Sequence, residues 1–160
     1  MQVADVTRYV QRGNRKVREF RYIGDVNASA YQAPDMTILA EHITNGGISQ
    51  FAYQQEPDSV IWAVRNDGVL VGMTYRREEE VVAWHKHIIG GTFGSGNAVV
   101  ESIATLPTDT GEDELYMIVK RTINSVTKRY VEVMKPFEFG DDATAAFFVD
   151  SGLAYSGSAV

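Results

Sequence analysis

His85 and His87 flank a lysine in the stretch Ala83-Trp84-His85-Lys86-His87-Ile88-Ile89-Gly90-Gly91. On a β-strand, residues i and i+2 share a face, so both imidazoles would point the same way. Two ligands of a metal need that geometry, and Glu78, Glu80 or His42 offers a third. The same alternation puts Val81, Ala83 and Ile89 beside them and Trp84 on the opposite face, which is also how histidines stand on an ordinary strand surface. The second reading is the expectation: no metal ligand, cofactor-binding residue or catalytic residue is assigned.

The other chemical constellations fail on their surroundings. Gly90-Gly91-Thr92-Phe93-Gly94-Ser95-Gly96-Asn97 is glycine-rich like a phosphate loop, but Ala98-Val99-Val100 continues as strand. A phosphate loop must open a helix whose N-terminus holds the anion. The stretch therefore reads as a flexible connector. Glu78-Glu79-Glu80 follows Arg76-Arg77 and reads as a solvated charged turn, not an acid–base pair. Ser59, Ser95 and Ser102 sit in no Gly-x-Ser-x-Gly pattern, so a serine hydrolase has no support. Trp62 and Trp84 could stack on sugars or bases, yet both lie within apolar strands and are expected in the core.

A chain of 160 residues with 44% hydrophobic and 22% charged residues is sized and composed like one soluble globular domain. Its formal charge of −6 argues against a general affinity for duplex DNA. Positive charge gathers only locally, at Arg8, Arg12, Arg15, Lys16, Arg18 and Arg21, and reads as a solvated face. The absence of cysteine removes disulfides and thiolate chemistry. No apolar run approaches the ~20 residues of a membrane helix, and no membrane insertion is expected.

The elements that would position these residues are almost all strands. One short helix is expected near residues 36–45. Asp35 would cap it, Met36, Leu39, Ala40 and Ile43 would form its apolar stripe, and Asn45-Gly46-Gly47 would stop it. Val60–Val64 and Leu115–Val119 are continuously apolar, as central strands are. Asn66-Asp67-Gly68 predicts a hairpin returning along Leu70–Tyr75, with a further strand over 81–89. Arg129–Met134 is the expected return of the second apolar strand. Trp62, Val64, Leu115, Ile118 and Val119 are the predicted core.

These hairpins repeat. Asp58–Arg65 aligns with Asp113–Lys120 at an offset of 55 (113 − 58), which also carries Tyr75 onto Tyr130 and Trp84 onto Phe139. A weaker copy spans Val10 to Tyr22 around Gly13-Asn14. The predicted fold is mainly β, with antiparallel propeller-like blades or small stacked sheets. Residues 1–139 form the β-rich repeat region, part of a longer propeller-like domain. Residues 140–160 read as the incomplete start of a following module. Too few blades are present to close a ring, so open edges call for another chain or for more of this one.

Taken together, Pro57, Trp62, Arg65, Asp67-Gly68, Leu70, Thr74-Tyr75, Ala83-Trp84 and His87 resemble a run found in tail proteins of short-tailed bacteriophages and prophages, the stabilisation or tail nozzle proteins. The segments APDMTILAEHI (33–43), VESIATLP, EDELYMIVKRTIN and KRYVEVM extend the similarity over most of residues 8–139. The resemblance implies a non-enzymatic virion component. It would assemble with other copies of itself, as a ring in the full-length context, and with neighbouring tail proteins at the distal tail. DNA would pass through transiently without specific binding. The acidic balance suits such a conduit, because a negative lumen repels phosphate. The implied localisation is the virion tail, and the bacterial cytoplasm before assembly. A non-catalytic carbohydrate- or receptor-binding β-module, using Trp62 and Trp84, is the alternative.

Overall fold

The computed structural model describes residues 2–3, 6–24, 30–76 and 79–153, with the side chains of 2, 3 and 145 excepted. It is mainly β, as the sequence predicts, and all its described strands except one two-stranded hairpin form three small antiparallel sheets stacked face to face. The first contains β1 (Gln2–Val3), β2 (Val6–Val10), β3 (Val17–Tyr22) and β4 (Tyr31–Gln32). The second is the meander β5 (Ile48–Gln54), β6 (Val60–Arg65), β7 (Leu70–Arg76) and β8 (Val81–His87). A small hairpin of β9 (Thr92–Phe93) and β10 (Gly96–Asn97) leads to the third. That sheet contains β11 (Val99–Pro107), β12 (Asp113–Ile123) and β13 (Val126–Val133).

The second sheet is buried on both faces, which is why β6 is apolar at every position from Val60 to Val64. Val60, Trp62 and Val64 meet Val100, Ile103, Leu115, Met117 and Val119 of the third sheet. Ile61 and Ala63 face the other way, where Val17 of the first sheet joins Ile48 and Val71. Turn chemistry sets the registers. Gly68 closes the β6–β7 hairpin at φ 80°, and a Cβ there would lie 2.3 Å from Val99 Cγ1. Asn124 and Ser125, both at positive φ, make the two-residue β12–β13 turn, the arrangement whose twist suits a tight hairpin. The ladders β5–β6 and β11–β12 each carry one bulge, with Ser49 and Glu101 as the extra residues.

Several expectations need correction. The helix lies within the predicted span but is one turn, α1 (Glu41–Thr44). The Asp35 carboxylate accepts bonds from the Thr37 N–H and hydroxyl at 2.9 and 2.5 Å, which turns the chain before a helix can start. Leu39 consequently projects into solvent, 92% exposed, while Met36 and Ile43 still pack inward. Ile118, predicted as core, is 39% exposed on the outer face of the third sheet, whereas Trp62, Val64, Leu115 and Val119 are buried.

The 55-residue offset is also not the structural repeat. It carries Trp62 onto Met117, but those two side chains face each other across one shared core. A stack in which each sheet repeats the last would carry a forward-facing residue onto another forward-facing one. Nor is Tyr130 the counterpart of Tyr75. Tyr130 pairs with Val119 as Leu70 pairs with Val64, so in that hairpin the offset is 60 (130 − 70). Phe139, the expected match of Trp84, lies on no strand and packs against Phe148 at 5.5 Å.

The basic N-terminal run is only partly a solvated face. Arg8 and Glu19 are each 1% exposed and form an ion pair at 3.2 Å, with the guanidinium 4.0 Å from the Tyr75 ring centre. Together they join the first sheet to the second. The glycine-rich stretch, read as a connector between sheets, contains the β9–β10 hairpin. Arg121 donates to the Gly90 carbonyl at 2.7 Å, and the Lys120 ammonium lies 4.3 Å from the Phe93 ring centre.

Candidate functional site: the histidine cleft

A concavity of about 750 Å³ opens between the second and third sheets. Trp62 and Thr74 form its floor with His85 and His87 of β8. The acidic turn Glu112-Asp113-Glu114 and the aromatic residues Phe137, Phe139, Phe147 and Phe148 form its rim.

Strand alternation brings the histidines together, as expected, and Trp84 points to the opposite side. Both imidazoles turn inward, half-buried, and so differ from surface teeth. His85 Nδ1 lies 2.7 Å from His87 Nε2, one ring donating to the other. The rings stand edge-on to Trp62, with centroid distances of 5.6 and 5.1 Å. His85 lies flat against β7 because residue 72 is glycine: a Cβ there would come within 2.1 Å of His85 Cε1. Thr74 Oγ1 is 3.4 Å from His85 Nε2. Burial pushes both histidines below their ordinary pKa, and proximity to His85 adds to the effect on His87. The cleft therefore holds a neutral imidazole pair around neutral pH.

Catalysis or metal binding needs more than this pair. Among the described residues no group of three histidine, aspartate, glutamate or cysteine side chains converges as a metal would require. Of the candidate third ligands, His42 is exposed on α1 and Glu80 lines a separate cavity with Glu19, Arg21 and Tyr75. Glu78 lies outside the described residues. Ser59 bonds to the Tyr53 hydroxyl and the Tyr75 carbonyl, and Ser102 to Gln50, so neither is paired with a base. The expected tryptophan positions are clear. Trp62 is 5% exposed and donates to Gln54 Oε1 at 2.8 Å; half-buried Trp84 donates to the Met36 carbonyl at 2.8 Å.

Polar side chains that the sequence did not single out fasten the sheets around the cleft. Gln50 donates to the Ile103 carbonyl at 2.7 Å and accepts from the Ile103 N–H, and Gln54 donates to the Asp113 carbonyl. Asp113 in turn accepts the Gln55 N–H at 2.7 Å. Arg121, 5% exposed, pairs with Glu132 through two bonds. A signal existed for the buried charges, including Arg8, which was read as solvated: Arg8, Glu19 and Arg121 share the strand parity of Val6, Val17 and Val119, which are buried.

No protein-family model matches the chain, and no curated protein matches it. Among the described residues no helix is long and apolar enough to cross a membrane.

Proposed function

We propose that the chain is a structural, non-catalytic component of a bacteriophage or prophage tail, of the nozzle or stabilisation type. It assembles at the distal tail with other copies and neighbouring tail proteins and helps form the DNA conduit. The observation that carries this reading is the use made of the residues on which the resemblance rests. Trp62 fills the core between two sheets, and Trp84 ties β8 to the segment before α1. Arg65 clamps its own hairpin through Asp67 and reaches the Ile43 carbonyl at 2.9 Å. Thr74 and His87 line the floor of the cleft between the second and third sheets. Trp62, Trp84 and Arg65 are spent on architecture, as in a protein selected to be a rigid part. The net charge of −6 supports a conduit along which phosphate slides without adhering.

The carbohydrate-binding alternative needs tryptophan faces open to a sugar. Trp62 offers 5% of its surface, and the indole N–H of each tryptophan is already bonded within the chain, so that reading gains nothing. Mass spectrometry of purified particles from the source bacterium tests the proposal. Peptides of this chain should co-purify with tail proteins at fixed stoichiometry. Recovery only from the particle-free cell fraction would refute it.

A further inference from the structure

The first sheet is covered by the second on one face only, and strand parity identifies what its other face presents. Val6, Arg8, Val17 and Glu19 point inward, so Thr7, Tyr9, Arg18, Phe20 and Tyr22 point out, and Tyr22 pairs with Tyr31 of β4. Tyr9, Phe20, Tyr22 and Tyr31 are 39, 44, 64 and 55% exposed. Three of these rings form one ladder: Phe20 and Tyr31 stack at 5.0 Å, and Tyr22 meets Tyr31 edge-on at 5.4 Å. Along β3, Arg18, Phe20 and Tyr22 follow one another at steps of roughly 6.8 Å, two residues of strand rise each. Beyond Arg18 lies the β2–β3 turn with Arg12 and Arg15. Residues 6–24 hold six of the chain's 15 basic side chains and one of its 21 acidic ones, so this patch is basic in an acidic chain. Arg8 and Glu19 pair with each other inside, and Lys16 takes both nearby carboxylates, Asp35 at 3.0 Å and Glu41 at 2.9 Å. Exposed Arg12 and Arg15 have no carboxylate partner among the described residues, and Arg18 bonds to neutral acceptors, Gln11 and the Ala33 carbonyl.

We propose that this face binds single-stranded RNA, with unpaired bases on the rings of Phe20, Tyr22 and Tyr31 and phosphates on Arg12, Arg15 and Arg18. Exposed aromatic rings on a four-stranded antiparallel sheet offer unpaired bases a stacking platform. The arginines beside them supply the charge complementarity, because guanidinium groups without a carboxylate are free to take phosphate oxygens. The combination selects the occupant. A neutral apolar partner would use the rings and leave three cations unmatched, whereas a duplex would meet the cations but keep its bases stacked within the helix. Hydroxyl groups choose between the two nucleic acids. Those of Thr7, Tyr9, Tyr22 and Tyr31 have no partner among the described residues. RNA presents a 2′-hydroxyl, donor and acceptor at once, at every nucleotide, and DNA presents none. The negative charge of the rest of the chain confines binding to this patch. The proposal goes beyond the tail reading and does not depend on it.

Fluorescence anisotropy of a labelled, mixed-sequence single-stranded RNA of about ten nucleotides tests it, with the whole chain titrated in at about 50 mM salt. Tyr22→Ala with Tyr31→Ala removes two stacking rings, and Arg12→Gln with Arg15→Gln removes two phosphate contacts. All four sites are exposed, so both variants should keep the wild-type far-UV circular dichroism. Anisotropy should rise with wild type. The tyrosine variant should bind at least about tenfold more weakly with the same salt dependence, since stacking carries no counterions. The arginine variant should lower the slope of log affinity against log salt by about one. DNA of the same sequence should bind at least about threefold more weakly, for want of 2′-hydroxyl bonds. Duplex RNA should fail to displace the probe where unlabelled single strand succeeds. No rise in anisotropy up to about 100 μM protein would overturn the proposal. So would binding that ignores the tyrosine variant, displacement by duplex as effective as by single strand, or DNA bound as tightly as RNA.

Discussion

Replacing Trp62 with alanine tests the central packing claim. The indole is 5% exposed, lies between β6 and the third sheet, walls in both histidines and donates to Gln54. Truncating a buried tryptophan costs about 3–5 kcal/mol, comprising lost transfer energy and the cavity left behind. In a domain of this size each kcal/mol moves the melting temperature by roughly 2–4 °C, so the fall should be about 6–20 °C. Differential scanning calorimetry reads it directly. Trp62→Phe separates the contributions: the ring stays while the bond to Gln54 is lost, and the cost should shrink to about 1 kcal/mol. Water admitted by the alanine variant should also bring the histidine pKa values back toward the ordinary range, visible in imidazole proton NMR. A melting temperature within about 3 °C of wild type for Trp62→Ala would refute the assignment, because even one kcal/mol moves it by about that much.

Other outcomes follow from the same contacts. Stability should fall as the pH drops below about 6.5, the ordinary histidine value. The folded pKa of His85 and His87 is lowered, so the unfolded chain takes up protons first. Asp58, Glu112, Asp113, Glu114 and Glu138 share the cleft with Arg76 and Lys135 and temper the effect; His85→Gln with His87→Gln should abolish that phase in urea titrations at successive pH values. A separate loss of stability should begin below about pH 4, where Asp35 of the unfolded chain takes up a proton while the folded carboxyl, although burial raises it, is held at about 2 by Thr37 and Lys16; Lys16→Ala should raise the folded value and shrink that loss without moving its onset. Glu19→Ala should destabilise by about 3–5 kcal/mol in urea unfolding, because it removes the carboxylate from a buried guanidinium, whereas Arg8→Met with Glu19→Leu should be far milder. Leu39→Lys, at a site 92% exposed, should change stability by less than about 0.5 kcal/mol.

The central strands were legible because a continuous apolar run such as Val60–Val64 permits few other arrangements. The hairpin at Asn66-Asp67-Gly68 was legible because its turn residues have a local mechanism. What the sequence hid depended on contacts made elsewhere. The 36–45 segment carries helical periodicity, but a side-chain bond from Asp35 competes with the first helical turn, and no periodicity count registers that competition. Ile118 is as apolar as Val119, yet they differ by which sheet face has a neighbour, and only the stacking order decides it. The histidines illustrate the same limit: spacing gave their shared face, while their inward turn came from Gly72, which leaves room for a ring.

The bulges at Ser49 and Glu101 have a consequence for how such chains lengthen and shorten. A strand is read two residues at a time, and each bulge shifts that reading frame by one. Val100 faces the core before Glu101; after it the inward positions are Ile103, 4% exposed, and Thr105, whose hydroxyl donates to the Tyr53 carbonyl. Striking out Glu101 in thought leaves Val100, Ser102 and Ile103 in plain alternation, with every residue still on its present face. Striking out Ser49 does the same for Ile48, Gln50 and Phe51. A copying slip of one codon at either site thus keeps every remaining residue on its face and costs only the removed residue's own bonds, the ion pairs of Glu101 with Lys120 and Arg129 or the bond from Ser49 to the Val64 carbonyl.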